Sequence, residues 1–146
     1  MNAIELSKNI IAYAAMNNCQ VTNLKLQKTL YYVQGYFLAR FGMPIFEEQI
    51  VNWAYGPVVP SAYFEFCTNG ASAIAPEIVT SVFAGLTATQ TDCVCKVVEK
   101  CLEHSARDLV EMTHSEDPWK NTLRNQIINV FTIKTFFENN DPLHIR

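Results

Sequence analysis

Over residues 2–18 apolar side chains return every three or four positions, as Ala3, Leu6, Ile10, Ile11 and Ala14, while Glu5, Lys8 and Asn9 fall on the opposite side. That period predicts an amphipathic helix. Asn2 followed three places later by Glu5 supplies a capping-box start, and Asn17-Asn18 supplies a stop. A second helix, capped by Thr22 or Asn23 and running to Phe41, puts Leu26, Leu30, Val33, Phe37 and Phe41 on one unbroken apolar stripe. It is the expected central helix of the core. The adjacent stripe reads Leu24, Gln27, Tyr31, Gln34 and Leu38, a flank that is half polar yet expected to be covered. Its glutamines then need hydrogen-bond partners, because a buried unpaired amide costs about 1–3 kcal/mol. Gly35 in the same helix costs about 1 kcal/mol relative to Ala, which predicts another backbone crossing closely there. Gly42 followed by Pro44 ends the helix.

Between Pro44 and Pro60 the helical period disappears, and Val51, Trp53 and Tyr55 alternate with Ile50, Asn52 and Ala54. Period two with aromatic and β-branched residues predicts a strand, which Gly56-Pro57 is expected to break in a sharp turn. A short helix follows from Ser61 to about Thr68 and stops at Asn69-Gly70. Residues 71–85 carry little pattern beyond extended pieces at Ile78-Val79 and Val82-Phe83, and read as a loop crossing the core. Helical spacing returns from Thr89 to His104, with a face of Val94, Val97, Val98, Cys101 and Leu102 and an Asp92–Lys96 pair at favourable spacing. Ser105 with Asp108 restarts a helix, Asp117-Pro118 caps a further short one, and residues 127–137 read as a short strand followed by a helix from Thr132. The reading is one domain over residues 1–146, mainly α within the α+β class: a compact helical domain with a strand and tight turn inserted after the second helix.

Composition narrows the chemistry. With 49% hydrophobic residues and a net charge of −3, the 146-residue chain has the apolar content for a core and lacks the basic excess of a phosphate-driven nucleic-acid binder. The acidic balance argues against DNA contact. No apolar run is long enough for a membrane span. The five cysteines, an odd number at scattered positions without a charged-then-apolar leader before them, predict a reducing, cytoplasmic setting. Cys93 and Cys95 would point to different sides of a helix, and Cys101 with His104 makes only two ligands, so no metal site is expected and the cysteines read as small core residues. No serine elbow, zinc-protease motif or glycine-rich phosphate loop occurs, so no cofactor and no catalytic set are expected. His114 has an interesting neighbourhood, Thr113-His114-Ser115-Glu116-Asp117-Pro118-Trp119, where Glu116 or Asp117 near its ring would make a base. The alternative is that Thr113 and His114 tie a helix end to the next cap.

Three segments, Leu24-Lys25-Leu26-Gln27-Lys28-Thr29-Leu30-Tyr31-Tyr32, Trp53-Ala54-Tyr55-Gly56-Pro57-Val58 and the Thr113–Trp119 run, resemble in order and spacing the Panacea domain of SocA-like antitoxins, also described as phage-associated GepA-type proteins. Thr29 departs from the aliphatic residue usual there. The resemblance implies a small bacterial or prophage-borne protein, encoded beside a toxin, that binds and neutralises that cognate protein toxin. It also implies the alternatives of an adaptor that delivers a toxin to a cytosolic protease, or a phage-associated regulatory protein without a toxin. It implies a non-enzymatic role and no fixed partner identity. Candidate partner contacts are Lys25 and Lys28, reaching for an acidic partner, the rigid turn Tyr55, Gly56, Pro57 and Val58, and the corner His114, Glu116 and Trp119. The competing reading is that all three motifs specify the fold, with Trp53 and Trp119 packed on the second helix.

Overall fold

The computed structural model describes residues 1–146. Its elements are α1 (Ala3–Met16), α2 (Asn23–Phe41), β1 (Val51–Trp53), β2 (Gly56–Val58), α3 (Pro60–Phe66) with a 3₁₀ turn (Cys67–Asn69), α4 (Ala88–Leu102), α5 (Ala106–His114), α6 (Asp117–Lys120) and α7 (Val130–Asn139). Helix α2 runs through the middle and packs against α1, α3, α4, α5, α7 and β2.

Local chemistry sets most boundaries. Asn2 and Glu5 form a reciprocal capping box on α1, Thr22 caps α2 through the Lys25 amide, and Gly42 closes α2 in the left-handed region at φ 73°. Helix α4 starts earlier than its apolar period because Thr87 and Gln90 form a second capping box. Helix α7 begins at Val130, ahead of the expected Thr132, because the Asn129 side chain accepts from the amides of Phe131 and Thr132. The Asp92–Lys96 ion pair forms at 3.1 Å.

Several expectations need correction. Gly56-Pro57 does not end the β element but opens β2, which pairs antiparallel with β1 in the register Val51–Val58, Asn52–Pro57, Trp53–Gly56. The turn lies one step earlier, at Ala54-Tyr55. Proline is tolerated because the Asn52 amide and carbonyl point away from β2, toward Gln126 and Asn125, so the missing Pro57 N–H breaks no ladder bond. Residues 71–85 are the loop expected, bridged to the chain before α2 at Ala73–Thr22; Ile78 is fully exposed, and Phe83, at φ 59°, is not extended but a buried plug whose ring lies against Tyr13. Only Cys93 and Cys101 of the five cysteines are buried. The ring of Trp53 meets those of Tyr63 and Phe64 and shares a groove with Leu24 and Gln27 of α2, while the ring of Trp119 stacks on His114.

Gly35 faces a ring, not a backbone: a Cβ there would overlap the Phe137 side chain of α7. Phe137 is itself fully buried between Tyr31, Tyr32 and Tyr36, edge-to-face with each. Gly35→Ala should therefore lower the urea-unfolding free energy by about 1–3 kcal/mol through overpacking, although alanine favours an ordinary helix site by about 1 kcal/mol. A neutral or stabilising result would show that the α2–α7 contact is loose.

Candidate functional site

The three motifs meet in one buried polar knot. Helical spacing puts Lys28, Tyr31 and Tyr32 on neighbouring turns of α2, and all three are fully buried. The Lys28 ammonium donates to the Pro57 carbonyl at 2.9 Å. Tyr31 and Tyr32 donate to the two carboxylate oxygens of Glu116 at 2.9 and 2.7 Å. One turn up α2, Gln27 accepts from the Val59 amide at 3.0 Å and donates to Asn23, which donates to the Tyr63 carbonyl. Gln34 completes the polar flank by accepting from the Ile45 amide and donating to the Phe46 carbonyl. Both glutamines thus have the partners that their covered positions demand. Thr29, the departure from the family pattern, is satisfied by donating to the Lys25 carbonyl one turn back.

Gly56 is required at its place. Its φ is 112°, and a Cβ there would come within 2.7 Å of Thr113 Oγ1 and 2.8 Å of Lys28 Cε. The hairpin backbone can approach α2 and α5 this closely only without a side chain. Thr113 spends its hydroxyl on the Val110 carbonyl. On the far side of the hairpin, Asn52 donates to the carbonyls of both Trp119 and Thr122 at 2.8 Å, and Trp119 Nε1 donates to the Trp53 carbonyl. The His114 ring stacks on Trp119 at 4.1 Å between centroids. Two buried atoms flanking this tryptophan, Asn52 Oδ1 and His114 Nε2, have no protein partner.

The candidate residues divide accordingly. Lys28, Gly56, Pro57, Val58 and Glu116 are buried within the knot, and Lys28 spends its ammonium on a carbonyl rather than on an acid. Lys25 is half-buried and donates to the Leu102 carbonyl at the end of α4, a favourable place for a cation. His114 and Trp119 are half-buried. Tyr55 stands at the tip of the turn, 69% exposed. Neither Glu116 nor Asp117 hydrogen-bonds to His114, whose Nε2 has no protein partner, so the base arrangement weighed from sequence is not assembled; the Glu116 carboxylate accepts from the two tyrosines instead. That occupation also explains why Glu116, although the N-cap of α6, makes no side-chain cap bond. Tyr31 and Tyr32 stand in the first motif but are not among the candidate contacts; their signal is a polar tip on a helix too apolar to face water, whereas Asn52, in β1, gives none.

Beside the knot lies a groove of about 350 Å³ lined by Leu24, Gln27, Trp53, Tyr55, Val58 and Tyr63. Phe64, 63% exposed, extends its rim and packs edge-on against Trp53 and Tyr63. No group of three or more histidine, cysteine or acidic side chains converges anywhere in the protein. No helix is long and apolar enough to cross a membrane.

Burial dominates the electrostatics of the knot. It lowers the Lys28 ammonium from 10.5 to about 7. It raises the Glu116 carboxyl from 4.5 to about 7, against the two tyrosine hydroxyls, which pull it down. Burial first, and then the neighbouring Glu116, push both tyrosine hydroxyls up. The ion pairs lie elsewhere, so neither Lys28 nor Glu116 has a counterion.

Folding stability must therefore depend on pH in two opposed limbs. The contribution of Glu116, whose folded pKa is raised, is whole below pH 4.5 and is lost as pH rises through about 7. That of Lys28, whose folded pKa is lowered, is whole above pH 10.5 and is lost as pH falls through about 7. The sum has a trough near neutrality. Glu116→Gln should flatten the acid limb, worth about 3 kcal/mol, and leave the alkaline limb in place. Urea unfolding at pH 5, 7 and 9 reads both limbs, and an acid limb unchanged in the variant would refute the assignment.

The sequence profile of the family described as "Antitoxin SocA-like, Panacea domain" matches residues 26–120, from the first turn of α2 through α6. The matched span holds every hydrogen bond between Lys28, Pro57, Tyr31, Tyr32 and Glu116. Among curated proteins, the chain is similar to "Antitoxin SocA" of Caulobacter vibrioides (strain NA1000 / CB15N), with 29% identity over 129 residues, covering 82% of this chain and 69% of that protein. No solved structure matches it. The knot of Lys28, Gly56 and Glu116 is thus the interior of a known domain, and the chain belongs to the SocA-like antitoxin, Panacea domain family.

Proposed function

We propose that the protein is the antitoxin of a bacterial or prophage-borne toxin–antitoxin pair, working in the cytoplasm by binding and occluding its cognate protein toxin. The observation that carries this reading is the family match across the whole polar knot. The knot ties the hairpin to α2 and α5 while leaving the tip at Tyr55 and the aromatic rim outside. The toxin-binding surface is the groove of Leu24, Trp53, Tyr55 and Tyr63, with Phe64 at its edge. Tyrosine and tryptophan on a rigid support are the residue types that anchor interfaces, because they bring large contact area at small entropic cost. Lys28, Gly56, Pro57, Val58 and Glu116 hold that surface in shape from inside, Lys25 fixes the end of α4 beside them, and His114 with Trp119 braces the other flank. The protein breaks no covalent bond itself in this reading.

Co-expression with the product of the neighbouring reading frame tests it. That product alone should arrest growth, and the wild-type antitoxin should restore it while forming a stable complex. Tyr55→Ala combined with Phe64→Ser should weaken the complex by about tenfold or more, since each removes an exposed aromatic anchor, with the melting temperature unchanged. A harmless neighbour overturns the neutralisation reading. Rescue that depends on a cytosolic protease, with falling toxin levels, replaces occlusion by delivery.

A further inference from the structure

The chain between α3 and α4 carries a stretch that the fold does not use. From Ile74 to Val79 the backbone runs without a turn or bend. No amide or carbonyl of residues 75–80 enters a hydrogen bond within the chain. Ile78 is fully exposed, and the one polar contact to the stretch is the Lys8–Glu77 ion pair at 3.4 Å, an exposed pair of little worth.

The two ends, by contrast, are fixed. Ile74 is buried, and its amide donates to the Val21 carbonyl at 2.8 Å, beside the bridge between Ala73 and Thr22. At the other end Phe83 is buried against Tyr13, and its amide donates to Asn9 Oδ1 at 2.7 Å. Between these anchors the stretch borders a cavity of about 220 Å³, bounded on its far side by Lys8 and Ile11 of α1 and Glu65 and Phe66 of α3. Lifting residues 75–80 breaks no backbone hydrogen bond and bares no core residue, so opening there costs far less than unfolding.

These are the conditions that an endopeptidase sets. Its cleft takes an extended strand, bonds to the amides and carbonyls of that strand, and seats a side chain in a pocket, as other strand-adding partners do. Exposed loops are accordingly the places where folded chains are nicked. Other large exposed apolar side chains do not meet the conditions: Phe64 and Phe131 sit in helices, Tyr55 in the hairpin turn, and Met43 immediately before a proline.

We propose that residues 75–80 are a cleavage site for an endopeptidase that selects an aliphatic side chain, cut at a peptide bond of Ile78. Water adds across the bond, its hydroxyl to the carbonyl carbon and a proton to the nitrogen, which leaves a new carboxylate and a new ammonium. The cut chain stays folded. Its two fragments are joined by the packing of α2 on α4, α5 and α7, by the Tyr31 and Tyr32 bonds to Glu116, and by the Asn52 bonds to Trp119 and Thr122. What changes is the order of the unfolding reaction, since the separation of two fragments depends on their concentration and the unfolding of one chain does not. The groove at Trp53 and Tyr63 lies on the amino-terminal fragment, and its brace at Glu116 and Trp119 lies on the other. Cutting therefore makes the shape of that surface depend on protein concentration. The cleavage itself stands whether or not the groove binds a toxin, and it is a cut in this chain, not delivery of another.

Thermolysin, which takes an aliphatic side chain on the amine side of the bond, tests this on the purified full chain, with mass spectrometry of the products. The first cut should fall at Glu77–Ile78 or Ile78–Val79, and the two fragments should elute together at the size of the intact protein. Ile78→Asp should slow that cut about tenfold or more, with an unchanged melting temperature, because the side chain it replaces is fully exposed. The urea midpoint of the cut protein should fall on dilution while that of the intact chain holds. A first cut elsewhere, an Ile78→Asp chain cut as fast as the wild type, or fragments that part as soon as they form would each overturn the proposal.

Discussion

Residues 26–38 of α2 are buried without a gap, so a helix with Gln27, Lys28, Tyr31, Tyr32 and Gln34 along it has no solvent on any side. Every polar atom it carries must be matched from another segment or left at a cost of about 1–3 kcal/mol. The rest of the structure is arranged around that requirement. The Pro57 carbonyl answers Lys28, the Glu116 carboxylate answers both tyrosines, the Val59 amide answers Gln27, and the strand-entry segment at Ile45-Phe46 answers Gln34. These segments are far apart in the chain and would have little reason to meet if α2 were simply apolar.

The same requirement explains the hairpin. A two-stranded ribbon of three residues a side is not stable alone. It is held by contacts that use its backbone rather than its side chains: a lysine on one carbonyl, a tryptophan indole on another, and a glycine thin enough to let Thr113 and the lysine stem close on it. The missing amide of Pro57 is tolerated because that position owes no bond to β1, and Gly56 takes its positive φ without strain because it has no Cβ. What emerges is a rigid turn whose tip is aromatic and exposed.

Holding Lys28 and Glu116 without counterions carries an energetic penalty near neutral pH. A purely apolar interior of the same shape would be more stable in that range. The polar interior instead fixes one register: the two carboxylate oxygens and two hydroxyls fit only when α6 sits in one place relative to α2. For the toxin-binding role proposed above, a single fixed arrangement of the turn, the α3 aromatics and the Trp119 corner matters more than the last increment of stability.

The helices, their caps and the centrality of α2 were legible in the sequence because they rest on local periodicity and on side chains bonding three residues away, as at Asn2–Glu5 and Ser105–Asp108. So was the need to satisfy Gln27 and Gln34, which follows from their place on a covered stripe. The resemblance to the family named the three motifs that form the candidate site. Their contacts were not legible, since nothing in the chain says that Glu116 lies under Tyr31 and Tyr32 rather than beside His114, 85 and 84 residues away along the chain. The turn was misplaced because Gly56-Pro57 is a breaker by local rules, whereas here tertiary contacts supply what the ladder lacks. Gly35 was read correctly as a close approach and wrongly as a backbone crossing, since the sequence gives the missing Cβ but not what fills its space. Periodicity determines which face is covered; only the packing of distant segments decides by what, because that choice is settled by shape and hydrogen-bond partners that no local spacing encodes.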